Sequence, residues 1–239
     1  MTTMSPTPTC STDTRLHVLS HVPYFAGLES TTIAEINALM TARWYAEDDA
    51  VYQAGEPGSR LHVVAAGRVK LVRPSPSGTD VLVDVLTPGG SFGTLHTLGS
   101  DRYSDTAQSL SESCVLSLSN QDFRSLIQRF PAVALAVVDD LAARLDESHR
   151  TIRSLSAGTA EQRVAAALLG LLEKFERNAG PVAVRRLTIT RTELAGMVGL
   201  TSETVSRVLG SFKRRALVDI GRGWVSVLDA ESLADLGAE

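Results

Sequence analysis

The chain has 239 residues, enough for one large or two modest domains, with 44% hydrophobic and 21% charged side chains. No apolar run approaches the ~18 residues of a membrane span, which argues against a membrane partner and for a soluble, cytoplasmic protein. The net charge of −4 conceals an asymmetry: residues 181–222 hold eight Lys/Arg against three acids, a local +5 on a remainder of −9. A basic segment on an acidic protein is the electrostatic pattern of a nucleic-acid-binding module joined to something else. Two cysteines, Cys10 and Cys114, suit a reducing compartment better than a disulfide framework.

Residues 1–14 form a Ser/Thr/Pro-rich tract with no apolar core, read as a disordered tail. Ile33, Ile36, Leu39 and Met40 then recur at helical spacing, with Ser30 or Thr31 as caps. From Ala42 short β-rich runs alternate with Gly/Pro turns as far as "SCVLSLS", the pattern of an antiparallel sandwich or barrel. The resulting sensor domain is placed at 15–130.

Residues 131–157 are expected to form one long helix. On it Ala134, Val138, Leu141, Leu145, Ser148, Ile152 and Leu155 follow each other at intervals of four and three. That a/d seam of about three heptads predicts a homodimer, with Ser148 as its polar interruption. Small residues at Ala157, Gly158 and Thr159 mark a boundary, and 158–239 form the last domain. It opens with an amphipathic helix closed by Gly180 and a short strand, "LTIT".

"TRTELAGMVGLTSETVSRVLGSFKRRALV" has the layout of helix, tight turn, helix. Thr190 and Glu193 make a capping box, Leu194, Met197 and Val198 are a buried face, and Gly199 supplies the turn. Thr201 caps a second helix whose Val205, Val208, Leu209 and Phe212 share one face. Ser202, Glu203, Ser206 and Arg207 therefore point away from the core, flanked by Arg191, Lys213 and Arg214 as further DNA contacts. "ALVDIGRGWVSVLD" reads as a β-hairpin wing. The fold class is α+β: an N-terminal β-sandwich, a long dimerisation helix and a C-terminal winged helix-turn-helix. The partner is double-stranded DNA.

That order resembles the Crp/Fnr superfamily of bacterial transcription regulators over roughly residues 18–236. "GEPGSRLHVVAAGRVKL" resembles the family's glycine-turned strand pair, and "LTSETVSRVLGSFKRRALV" its recognition helix. The resemblance implies a jelly-roll of cyclic-nucleotide-binding type. Glu-x-x-Ser-Arg, with Ser202 where the cyclic-AMP receptor branch has an arginine, is similar to the Fnr-like branch. It implies a TTGAT…ATCAA palindrome read by Glu203, Ser206 and Arg207, with RNA polymerase as a further partner.

"PGGSFGTLHTLGSDRYSDTAQSLSESCVLSLS" resembles the cassette that holds cyclic nucleotide in some members. The effector pocket is accordingly placed at Gly93, Thr94, Leu95, His96, Asp105 and Thr106. The family's ribose-binding Glu is Thr94 here, and its phosphate-clamping Arg is Asp105, so cyclic AMP is not expected. Two cysteines cannot supply the four thiolates of an iron–sulfur cluster. Haem, sensing a diatomic gas, is the leading expectation, with His96 and then His149 as candidate ligands. A cyclic-nucleotide-responsive regulator, another small-molecule effector, a redox thiol or ligand-independent binding are the alternatives. No enzyme is expected, since the chain lacks Gly-x-Ser-x-Gly, Walker, HExxH and Cys/His metal-site spacings.

Overall fold

The computed structural model describes residues 10–74, 80–93, 102–177 and 186–238. It divides into two compact units, one ending at Ala142 and one starting at Ala143, apart from a short strand segment. Among the described residues no helix is long and apolar enough to cross a membrane.

The first unit opens with α1 (Thr12–His21) and α2 (Ser30–Leu39). Among the described residues eight strands follow: β1 (Thr41–Tyr45), β2 (Ala50–Tyr52), β3 (Arg60–Ala66), β4 (Val69–Pro74), β5 (Asp80–Leu86), β6 (Ser91–Gly93), β7 (Thr106–Ser109) and β8 (Ser113–Ser119). They form two four-stranded sheets, ordered β1-β8-β3-β6 and β2-β7-β4-β5, with antiparallel pairing as in β1–β8 and β4–β7. This is the expected sandwich. Side chains alternate across a strand, and in β3 and β8 both faces are buried. Leu61, Val63, Leu116 and Leu118 pack with Leu19 and Ile36 of the helices and with Phe123 of α3 (Asn120–Arg129). Val64 and Val115 face inward with Tyr52, Phe92 and Tyr103 between the sheets.

The chain orders earlier than its composition suggests. Ser11 caps α1 by accepting from the Thr14 amide, and Val18 and Leu19 are buried, so the tail expected through residue 14 extends at most to the start of the cap. Residues 1–9 lie outside the described residues. Cys10 and Cys114, expected as thiols, form a disulfide. In α2 the N-cap is Glu29, without a side-chain cap bond, and Leu39 is exposed.

The long helix, α4, runs Pro131–Ala157. Val133 and Val137 of its first half belong to the helix-covered core of the sandwich.

The second unit contains α5 (Ala160–Arg177), β9 (Arg186–Thr188), α6 (Arg191–Val198), α7 (Ser202–Arg214), β10 (Val218–Gly221), β11 (Trp224–Val227) and α8 (Ala230–Ala238). Its sheet has the order β10-β11-β9. Leu168 of α5, Leu194, Leu209, Phe212, Leu217, Val225 and Leu233 are buried. Gly180, the expected end of α5, lies outside the described residues.

Candidate DNA-reading surface and effector pocket

α6 starts at a complete capping box: the Thr190 side chain accepts from the Glu193 amide, and Glu193 Oε2 accepts from the Thr190 amide at 2.9 Å. It ends at Gly199, whose φ of 60° is the left-handed conformation that suits glycine. The Leu200 amide donates back to the Ala195 carbonyl, closing the turn. In α6 the buried residues are Leu194, Ala195 and Val198, so Ala195 takes the place expected for Met197, which is half-buried.

Thr201 caps α7 by accepting from the Thr204 amide. Val205, Val208, Leu209 and Phe212 are buried, and Thr201, Ser202, Glu203, Ser206 and Arg207 are exposed. The Ser206 hydroxyl donates to the Ser202 carbonyl at 2.8 Å. Glu203 lies in the first turn, where the helix dipole favours a negative charge. Arg191 is exposed at the start of α6, and Arg214 at the end of α7. The Lys213 ammonium pairs with Asp219 at 2.8 Å, which partly neutralises it. The same contact is the leading reason that the Asp219 carboxyl is held below its usual range. The wing is the β10–β11 hairpin, which places exposed Arg222 at its turn. Arg186 of β9 stacks 4.2 Å over the Trp224 ring, bracing the hairpin from its other edge.

On α4 the seam positions Val138, Leu141, Leu145, Ser148 and Ile152 are all exposed. The Ser148 hydroxyl satisfies itself on the Arg144 carbonyl at 2.8 Å. Leu155 is half-buried, and its Cδ2 would lie 3.7 Å from a Cβ at Gly199, so the last seam position packs beside the helix-turn-helix turn.

Of the expected effector pocket, Thr94, Leu95 and His96 lie outside the described residues. Gly93 pairs with Leu61, and its φ is 98°. A Cβ there would come within 2.6 Å of the Arg60 carbonyl, so the position demands glycine. The Thr106 hydroxyl accepts from the Ala54 amide at 3.0 Å. Asp105 accepts from the Tyr52 hydroxyl at 3.0 Å and from Ser104, with the Arg73 guanidinium 3.9 Å away. Burial, and then the Asp105 charge, push the Tyr52 hydroxyl pKa upward, so it remains a donor.

Sequence reasoning overlooked the aromatic cluster beside Asp105. Tyr52 stacks on Tyr103 at 3.6 Å and His62 on Phe92 at 5.1 Å. The buried His62 ring bonds Ser117 Oγ at 2.9 Å and Tyr103 Oη at 3.2 Å. With β3 buried on both faces, its alternation carried no signal that His62 turns inward. Burial, aided by Arg60, pushes the His62 pKa down to about 4. An unfolded imidazole titrates near 6.5, so between these values the unfolded chain binds a proton that the fold refuses. The contribution is complete above pH ~6.5 and is lost as pH falls through about 4, on the order of 3 kcal/mol in all. Urea unfolding at pH 7 and pH 4 should show a larger acid loss in the native chain than in His62→Gln. Equal losses would contradict the neutral buried ring. His149, the one haem-ligand candidate among the described residues, is exposed on α4.

Residues 42–130 match the model of the cyclic nucleotide-binding domain, and residues 162–236 that of the Crp-like helix-turn-helix domain. The cyclic AMP receptor protein of Thermus thermophilus is 33% identical over 214 residues, covering 90% of this chain and 96% of its own. The CRP-like cAMP-activated global transcriptional regulator of Mycobacterium tuberculosis is 28% identical over 217 residues, covering 91% and 97%. A solved transcriptional regulator of the CRP/FNR family, also from Thermus thermophilus, superposes with a TM-score of 0.67 at 27% identity, covering 83% of this chain and 99% of that one. Both parts of the fold, and a third of the residues shared along nine-tenths of the chain, make this protein a member of the Crp/Fnr family of transcription regulators, with a Crp-like helix-turn-helix for DNA binding.

Proposed function

We propose that the protein works as a homodimer paired along Val138, Leu141, Leu145, Ser148, Ile152 and Leu155, reading a TTGAT…ATCAA-type palindrome. Glu203, Ser206 and Arg207 read base edges, while Arg191, Thr201, Ser202, Lys213 and Arg214 hold the backbone. The observation that carries this reading is the exposed Ser202-Glu203-Ser206-Arg207 face of α7, whose opposite face is wholly buried. Arg207 can donate two hydrogen bonds to guanine O6 and N7, Glu203 can accept from a base amino group, and Ser206 can contact a base edge or a thymine methyl. Titrating salt against duplex binding tests it. Affinity should fall linearly in log salt, with a slope near −0.9 for each phosphate contacted, and the palindrome should outbind a scrambled duplex. No duplex binding at low salt would refute the reading.

The effector, in this reading, belongs to a class other than cyclic nucleotides, although the relatives above are named for cyclic AMP. The support is Asp105, a carboxylate held by the Tyr52 hydroxyl where the family resemblance calls for a phosphate-clamping arginine. The carboxylate itself offers a phosphodiester no donor, and the half-exposed Arg73 guanidinium 3.9 Å away offsets its repulsion only in part. Calorimetric titration with cyclic AMP should give no saturable heat, whereas micromolar binding would overturn the assignment. Haem gains no support from the described histidines: both His62 nitrogens are engaged and His149 is exposed. A Soret band gained on haem addition and lost in His96→Ala would reverse that.

A further inference from the structure

The disulfide joins residues 104 apart in sequence, with Cα atoms 6.0 Å apart. Cys114 is fully buried in β8 on the face that carries Leu116 and Leu118. Cys10 is partly buried against the same core and immediately precedes Ser11, the N-cap of α1. The bond therefore fastens the start of α1 to the middle of a sheet. Other anchors of this helix begin one turn further on: Thr12, Asp13 and Thr14 are exposed, whereas the Arg15 guanidinium donates to the Asn37 and Met40 carbonyls at 3.2 and 3.4 Å, Leu16 packs half-buried on the core, and Val18 and Leu19 are buried. Just beyond α1, the Tyr24 hydroxyl donates to Asp140 of α4 at 2.9 Å and accepts from Ser91 at 3.1 Å. Asp140 directly precedes Leu141 of the dimer seam. A regulator that binds DNA works where thiol pools hold cysteines reduced, and disulfides formed there are typically transient and redox-sensing.

We propose that Cys10 and Cys114 are a reversible thiol–disulfide site whose state sets how firmly the first half of α1 is held on the sandwich and, through Tyr24 and Asp140, tunes DNA affinity. The oxidant is a low-molecular-weight disulfide. The Cys10 thiolate attacks one of its sulfurs, forming a mixed disulfide and releasing one thiol. The Cys114 thiolate then attacks the Cys10 sulfur and releases the second thiol. The protein dithiol is oxidised by two electrons and the small disulfide is reduced to two thiols. Reduction by excess thiol runs the same steps backward and frees the residues ahead of Arg15 to fray.

The reducing compartment and the last link rest on the DNA-binding reading, whereas thiol counting and amide exchange test the site by themselves. The full chain is equilibrated at graded ratios of oxidised to reduced glutathione and its free thiols are counted by alkylation and mass spectrometry. Amide exchange over residues 12–15 and affinity for the palindrome are measured at each ratio. The expected result is joint loss of both thiols on oxidation, exchange about 10-fold faster in the reduced state, and DNA affinities that differ about 5-fold or more. Cys10→Ser and Cys114→Ala should each match the reduced state at every ratio. Two free thiols at all ratios, or identical exchange in both states, would overturn the site. Equal DNA affinity in the two states, with exchange still different, would overturn the coupling to DNA and leave the site standing. Absence of DNA binding in both states, with exchange still different, would refute the DNA-binding reading and support the redox site.

Discussion

Arg207→Ala is expected to erase the preference for the TTGAT-type half-site while leaving the fold intact. The side chain is exposed on α7 and takes no part in the core formed by Val205, Val208, Leu209 and Phe212, so its removal costs little stability. Loss of a bidentate guanine contact removes ~1–3 kcal/mol of discrimination per half-site, roughly 5- to 150-fold, and a palindrome contains two such halves. Competition binding between palindromic and scrambled duplexes reads this directly. Arg214→Ala, at the other end of the helix, should weaken both duplexes alike and lower the salt slope by about one unit for each phosphate it no longer neutralises. Lys213→Ala should do the same to a smaller degree, because its ammonium is already paired with Asp219. Equal losses on both duplexes for Arg207→Ala would contradict its role as a base reader.

Leu145→Glu is the second change with a large expected effect. Leu145 is 56% exposed on α4, at the middle of a seam whose other aliphatic members are exposed or half-buried. Burial of one such leucine contributes ~1.5–3 kcal/mol, and the symmetric dimer loses two. Two facing carboxylates add repulsion. The dimer dissociation constant should rise about 100-fold or more, measured by sedimentation equilibrium. Palindrome binding should fall to half-site affinity in parallel. Ser148→Leu should act in the opposite direction, because the native hydroxyl is satisfied within its own helix and has no need of a partner across the seam. An unchanged dissociation constant for Leu145→Glu would remove this seam as the dimer contact.

The helix-turn-helix was legible because its signals are local. A Thr-x-x-Glu capping box, a glycine at the left-handed turn and an i, i+3, i+4, i+7 apolar face each act within two turns of helix, and all three are realised in α6 and α7. The same holds for the 4-3 spacing from Ala134 to Leu155, realised as the single helix α4. Strand alternation placed the sandwich but understated its interior. β3 and β8 are buried on both faces, so a run such as "LHVVAA" does not announce that His62 turns inward. The tail departs from expectation for a related reason. Ser/Thr/Pro composition argues for disorder, yet one cap at Ser11, two buried aliphatics and a covalent link suffice to order the chain from Cys10 onward.

The effector site divides in the same way. Chemistry at single positions, a threonine for a glutamate and an aspartate for an arginine, was visible in the residue string. What Asp105 does instead was not, because its partner Tyr52 lies 53 residues away. The amino-acid sequence alone determined the order of sandwich, long helix and winged helix-turn-helix, and which face of α7 looks outward, since capping and periodicity are short-range and repeat along the chain. Only the tertiary structure decided that Cys10 meets Cys114, that Tyr52 holds Asp105 and that Asp219 engages Lys213. Such pairings arise when the folded backbone brings distant segments together, and a contact made once, between side chains far apart or across a turn, leaves no period to read.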